Sequence, residues 1–225
     1  PILMIIMCIR MVLHAAISFR AAPKAVHTVL SHFEAVQEQR IPSHKTVSRW
    51  LTQLGLYKLH ALKEQADDWV FIIDYSVQTG TDKCFVILGV RLSQFQNRAL
   101  TFEDMQPILI ECHEKGGEQV IFQAIQRAQE KVGKVSMICV DDGSDLRKGI
   151  DLFCQRYGAK KVLDTVHKLG TFLKTIFKYD SDWQMFCTEV KTAKSKMQQT
   201  KAAHLAPPNQ RSKCRFLNIE GLTGW

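Results

Sequence analysis

The sequence predicts an α/β fold: a mixed sheet in the order βββαβαβα, preceded by a helical region and followed by a basic helical segment. Three observations carry this. Five short apolar runs bounded by polar residues, 69–75, 83–91, 107–112, 135–140 and 160–163, read as strands. The stretches 118–132 and 145–157, lying between the later runs, repeat apolar residues at helical spacing. Two of the runs, Trp69-Val70-Phe71-Ile72-Ile73 and Val135-Ser136-Met137-Ile138-Cys139-Val140, are each followed at once by an acidic residue, Asp74 and Asp141.

The chain opens on an apolar stretch, 2–13, broken by Arg10 and ending at His14. It is too short to span a bilayer and lacks a positive leading region, so it reads as a buried helix and not as a targeting segment. A second helix is predicted over 21–40, where Val26, Val29, Leu30, Phe33 and Val36 recur at helical spacing, and Ile41-Pro42 breaks it. Ser43 then offers an N-cap to a third helix, 44–54, with Gly55 as its stop. Its inner face is Val47, Trp50, Leu51 and Leu54; its outer face is His44, Lys45, Ser48, Arg49 and Gln53. The two helices read as a helix-turn-helix, with Lys45 and Arg49 spaced i, i+4 to meet phosphates or guanine edges. The alternative is a solvated basic face on helices that never touch DNA.

A linker over 58–68 leads to three runs that can form a meander, followed by alternating helices and strands. Gly116-Gly117 precedes the helix 118–132, which turns Val120, Ile121, Ala124, Ile125 and Ala128 inward. Asp145 reads as the cap of the next helix, 145–157. The fifth run ends at Asp164 and is followed by an amphipathic helix over 167–179. The stretch 180–205 is helical by pattern and basic, with Lys191, Lys194, Lys196 and Lys201, until Ala206-Pro207-Pro208-Asn209 breaks it. Beyond it, Arg211-Ser212-Lys213-Cys214-Arg215-Phe216 interleaves an aromatic with basic residues, as a backbone-tracking patch does. A solvated charged face is the other reading. This organisation predicts three regions: 1–66 helical, 67–179 the sheet-bearing core, and 180–225 a basic helical insertion or the start of the remaining core.

The net charge of +8 is unevenly spread. Residues 1–66 carry 8 basic and 3 acidic side chains, 67–164 carry 12 and 15, and 165–225 carry 10 and 4, giving +5, −3 and +6. An acidic centre between basic flanks fits a metal-binding core with polyanion-binding arms. The 7 cysteines include no C-x-x-C pair, which excludes a zinc knuckle or a dithiol redox motif. Cys84 and Cys139 fall inside apolar runs and read as small core hydrophobes, so the protein is expected in a reducing, cytoplasmic setting. The chain starts without Met and stops at Gly224-Trp225, and it reads as a piece of something longer.

An Asp at the end of a buried strand packs poorly but is well placed to hold a cation. If the two strands are parallel neighbours, the carboxylates of Asp74 and Asp141 converge. Hard oxygen ligands there suit Mg²⁺ or Mn²⁺, which catalyse phosphoryl transfer as a pair about 3.5–4 Å apart. Each Asp could instead simply start a turn. The order βββαβαβα is that of an RNase H-like fold, in which the first and fourth strands are adjacent and parallel.

Taken in order, several blocks resemble the DDE-type transposases of bacterial insertion sequences. They are Ser18-Phe19-Arg20-Ala21-Ala22, Ala66-Asp67-Asp68-Trp69, Ile73-Asp74-Tyr75-Ser76-Val77-Gln78-Thr79-Gly80, Lys83-Cys84-Phe85-Val86-Ile87-Leu88-Gly89, Asp141-Asp142-Gly143-Ser144-Asp145-Leu146-Arg147-Lys148-Gly149, Asp164-Thr165-Val166-His167-Lys168 and Pro207-Pro208-Asn209-Gln210-Arg211. The resemblance implies that Asp74 is the first metal-binding carboxylate and Asp141 the second, and that Mg²⁺ or Mn²⁺ is the cofactor, two ions in all. Asp142, on the other side of an extended segment, is not an expected ligand. Asp164 and His167 are an accessory polar pair or, equally, an N-cap. The family's third acidic residue, a Glu on a late helix, has no secure match: Glu189 lies in a basic helix and Glu220 in an irregular stretch, so it is expected beyond Trp225.

The function implied is DNA strand cleavage and transfer at the terminal repeats of an insertion sequence, inactive in this fragment. Lys45, Arg49, Lys194 and Arg211 would bind the DNA. Such proteins work as dimers or larger assemblies at the nucleoid, away from any membrane. A non-catalytic DNA-binding remnant acting through residues 20–56 is the alternative. An RNase H-like nuclease of repair or recombination would need the same carboxylates but no sequence-specific head.

Overall fold

The computed structural model describes residues 2–32, 41–79, 82–95, 98–101, 103–114, 117–141, 143–208 and 224. The chain divides into two compact units, Pro1–Glu64 with Leu100–Ile108, and Gln65–Ala99 with Leu109–Trp225.

Three helices build the first unit: α1 (Ile2–Leu13), α2 (Ala22–Leu30) and α3 (His44–His60). Met4, Cys8, Val26, Leu30 and Val47 form its buried centre, with Met7, Met11, Val12 and Trp50 packed against it. These residues follow the helical period on each element, which is why three short helices share one core. Pro23 stands in the first turn of α2, where no N–H is needed. The Ser43 hydroxyl caps α3 by accepting from the Thr46 N–H at 3.2 Å.

In this unit two helix ends differ from those the sequence predicts. Helix α2 closes at Leu30, where the Ser31 N–H donates to His27, and residues 33–40 of the predicted helix lie outside those described. Helix α3 runs through Gly55 to His60 and does not stop at it. A glycine inside a helix costs about 1 kcal/mol. Here the cost is offset by good helix formers on both sides, and the helix is capped at Ala61, whose N–H still bonds Tyr57 at 2.8 Å.

The second unit holds most of a five-stranded mixed sheet in the order β3-β2-β1-β4-β5. The strands are β1 (Ala66–Thr79), β2 (Asp82–Arg91), β3 (Gln106–His113), β4 (Gly133–Val140) and β5 (Lys160–Leu163). Strand β1 is antiparallel to β2 and parallel to β4, and β4 is parallel to β5. This is the RNase H-like arrangement, and the sheet lies with helices α4 (Glu118–Val132) and α5 (Ser144–Tyr157), α6 (Thr165–Phe177) and α7 (Ser181–Met197) completing seven among the described residues.

Alternation sets the faces of the sheet. Trp69, Phe71 and Ile73 of β1 are buried, as are Phe85 and Ile87 of β2 and Ile138 and Val140 of β4. Ile121, Ala124, Ile125 and Ala128 of α4 are buried, as are Leu146, Ile150 and Phe153 of α5. Each large apolar side chain buried this way contributes about 1.5–3 kcal/mol. The two helices meet closely at Gly149, where an added Cβ would stand 2.6 Å from the Ile121 Cβ. Gly133 enters β4 at φ 97°, with the Ala66 carbonyl 2.5 Å from where a Cβ would be. The cap of α5 is Gly143 and not Asp145, whose backbone lies within the first turn. Asp180 separates α6 from α7 by accepting the Trp183 N–H at 2.6 Å.

Candidate functional site

Sheet register places the predicted acidic residues. Ile73 of β1 pairs with Val140 of β4, and Val140 pairs with Leu163 of β5. The next residue on each of these three parallel strands is Asp74, Asp141 and Asp164. They therefore form one row, each step about 4.8 Å, in which Asp141 and Asp164 follow the ends of β4 and β5 while Asp74 lies within β1, which continues past the predicted end of its apolar run to Thr79. That end of an open α/β sheet is where ligands gather, because the chain leaves the strands there and opens a crevice.

The three carboxylates differ in setting. Asp74 is exposed and lies opposite Val86 of β2. Asp141 is half-buried, and its Oδ1 accepts the Gly143 N–H at 3.3 Å. A Cβ at position 143 would come within 3.1 Å of that oxygen, so glycine leaves the carboxylate room beneath the turn. Asp164 is the N-cap of α6: its Oδ1 accepts the His167 N–H at 2.9 Å, while its own N–H donates to the Val140 carbonyl at 2.9 Å. Of the two readings open for Asp164 and His167, the geometry is that of a cap, joined through the His167 backbone and not through its ring. The ring Nδ1 of His167 is buried without a hydrogen-bond partner among the described residues. Burial, and next the charge of Asp164, push the Cys139 thiol up.

Asp74 and Asp141 present hard oxygen donors at a partly open surface. Mg²⁺ keeps several waters and is commonly held by one or two carboxylates plus substrate phosphates, and two carboxylates are donors of that kind. Among the described residues no group of three His, Cys, Asp or Glu side chains is placed to hold an ion. Asp142 and the side chain of Asp145 lie outside the described residues.

The predicted DNA contacts fall in different places. Lys45 and Arg49 are exposed on α3 and line one depression of about 410 Å³ with Phe19, His44, Ser48 and Thr52, all within the first unit. Lys194 is half-buried on α7. The polar depression on that helix, about 460 Å³, is lined instead by Thr188, Lys191, Thr192, Ser195, Lys196 and Gln199. The i, i+3, i+4, i+7 spacing of Thr188, Lys191, Thr192 and Ser195 was the signal that could have singled out Lys191. Arg211 lies outside the described residues. No helix among the described residues is long and apolar enough to cross a membrane.

No family model matches the chain, and no curated protein matches it. Among solved structures it is similar to the HTLV-2 integrase catalytic core domain in complex with magnesium. The dimeric form is 18% identical over 51% of this chain and 72% of that one, with a TM-score of 0.30. The trimeric form is 16% identical over 71% and 84%, at 0.30. The simian T-cell lymphotropic virus intasome in complex with the PP2A regulatory subunit B56 gamma is 14% identical over 71% and 58%, at 0.31.

Proposed function

We propose that this chain is transposase-like, of the kind found in bacterial insertion sequences, and that its chemistry is DNA strand cleavage and strand transfer at the element's ends. The observation that carries the reading is the register of Ile73 with Val140, which sets Asp74 and Asp141 level on adjacent parallel strands. Asp74 and Asp141 would hold Mg²⁺ or Mn²⁺, with two ions in the working site. When bound, such ions supply activation of the attacking hydroxyl and neutralisation of charge on the leaving oxygen. The protein's own part is to fix the two carboxylates on rigid strands, to hold Asp141 under the Gly143 turn, and to grip DNA phosphates through Lys45 and Arg49. Insertion-sequence terminal repeats are the partner, met at the nucleoid by a homo-oligomer.

The test is strand cleavage on DNA carrying the element's ends. In a complete protein that carries the third acidic residue beyond Trp225, Asp74→Ala and Asp141→Ala are each expected to abolish Mg²⁺- or Mn²⁺-dependent cleavage and to spare end binding. Cleavage that persists in Mn²⁺ with either variant would sink the assignment.

A second reading, a DNA-binding remnant without catalysis, is favoured by the exposed Lys45–Arg49 depression on α3. Under it, a Lys45/Arg49 double alanine variant loses DNA affinity and added metal changes nothing. A gel shift indifferent to that variant counts against it.

A further inference from the structure

Strands β2 and β3 are neighbours in the sheet, and they bring two thiols together. Cys84 Sγ and Cys112 Sγ stand 3.2 Å apart, although 28 residues separate them along the chain. Both are free thiols; Cys112 is exposed and Cys84 is half-shielded. Cys84 is therefore not the simple core hydrophobe that its apolar run predicts. Adjacent strands lie about 4.8 Å apart, within the span of roughly 4.4–6.8 Å between Cα atoms that a disulfide accepts.

The pair has a distinctive place. Cys84 lies between Lys83, which pairs with Gln78, and Phe85, which pairs with Tyr75, where the β1–β2 register shifts. Two residues further along β2 is Val86, the partner of Asp74. Cys84 thus sits at the irregular end of the β1–β2 ladder, two residues along the strand from the level of Asp74.

We propose that Cys84 and Cys112 form a reversible disulfide when the protein meets a low-molecular-weight disulfide such as oxidised glutathione, fastening β3 to β2 beside the register shift. The Cys112 thiol loses its proton and attacks one sulfur of the small disulfide, breaking its S–S bond and releasing one small thiolate. The Cys84 thiol then loses its proton and attacks the Cys112 sulfur of the mixed disulfide, releasing the second. Two electrons pass from the protein to the small disulfide, and the two protons end on the two glutathione thiols. The sulfur contact with Cys112, and then burial, push the Cys84 thiol up, which leaves exposed Cys112 as the thiol that reacts first.

The experiment treats the intact, folded chain with oxidised glutathione, alkylates remaining thiols and digests with trypsin without reduction. Cys84 falls in peptide 84–91 and Cys112 in peptide 99–115. The expected product is these two peptides joined, lighter by two hydrogens than their sum, and separated again by reductant. Recovery of both as alkylated peptides, of each capped with its own glutathione, or of Cys112 joined to a different cysteine, would overturn the proposal. In a Cys112→Ser variant Cys84 is expected to remain fully alkylatable over the same exposure. Glutathione on Cys84 at the wild-type rate would overturn the order of attack.

Discussion

Ile73 of β1 and Val140 of β4 stand opposite one another in parallel register, and that one pairing makes Asp74 and Asp141 neighbours 67 positions apart in the chain. Under the proposed function one cation would be shared by both carboxylates, so each member should matter almost as much as both. Asp74→Asn or Asp141→Asn is expected to weaken Mn²⁺ binding by about tenfold or more, a loss of at least about 1.4 kcal/mol. Electron paramagnetic resonance of free Mn²⁺ measures it. Far-UV circular dichroism should stay unchanged, because Asp74 is exposed and Asp141 bonds only locally among the contacts described above.

Lys45 and Arg49 share one side of α3 and are exposed. Each phosphate contact removed should lower the slope of log affinity against log salt by about 0.9. The double alanine variant is thus expected to lose roughly 2 from that slope, read by fluorescence anisotropy with DNA at several salt concentrations. An unchanged slope would place the DNA elsewhere on the molecule.

Asp68 ties the start of the sheet to the end of β2. Its Oδ2 accepts the Ser93 N–H at 2.7 Å, and its Oδ1 pairs with Arg91. Hydrogen bonds from Ser93, followed by the bond and charge of Arg91, lower its carboxyl to about 2. A carboxylate with a depressed folded-state pKa stabilises the fold fully above its unfolded value, about 3.9, and loses that contribution as pH falls toward 2. Asp68→Asn should therefore lower stability at pH 7 by about 1–2 kcal/mol. The gap to wild type should close between about pH 4 and pH 2, as followed by urea unfolding.

Gly149 is the point of closest approach between α4 and α5. An added methyl would meet the Glu118 carbonyl at 2.7 Å as well as Ile121, and backbone cannot step aside as a flexible side chain can. Gly149→Ala is expected to cost about 1–3 kcal/mol by overpacking, despite the better helix propensity of alanine. Thermal unfolding would show it.

The strands were legible because each is a short apolar run with polar bounds, and helices α4 and α5 because their period is clear. Ends were harder. Gly55 carries a stop signal in sequence, but a glycine stops a helix only when it takes the left-handed conformation after the last turn. Flanked by Leu54 and Leu56, it simply continues α3. Asp164 could be read as a cap or as part of an accessory polar pair with His167, because both need an oxygen just before a helix; the 2.9 Å bond from the His167 N–H shows the cap. The row of Asp74, Asp141 and Asp164 was legible only as far as the strand order could be guessed. The meeting of Cys84 with Cys112 was not, since it depends on the β2–β3 register, which no local pattern encodes.

The sheet order has a consequence for the chain as it is made. The Ser136 hydroxyl donates to the Trp69 carbonyl across 67 residues, so the central strand acquires its parallel neighbour only after β2, β3 and α4 have left the ribosome. Until then one long side of β1, rich in Val and Ile, is an open edge, the element most prone to pair with a stray strand. Contacts this distant in sequence also form slowly. Synthesis, more than the finished protein, is the moment at which this sheet most needs a chaperone.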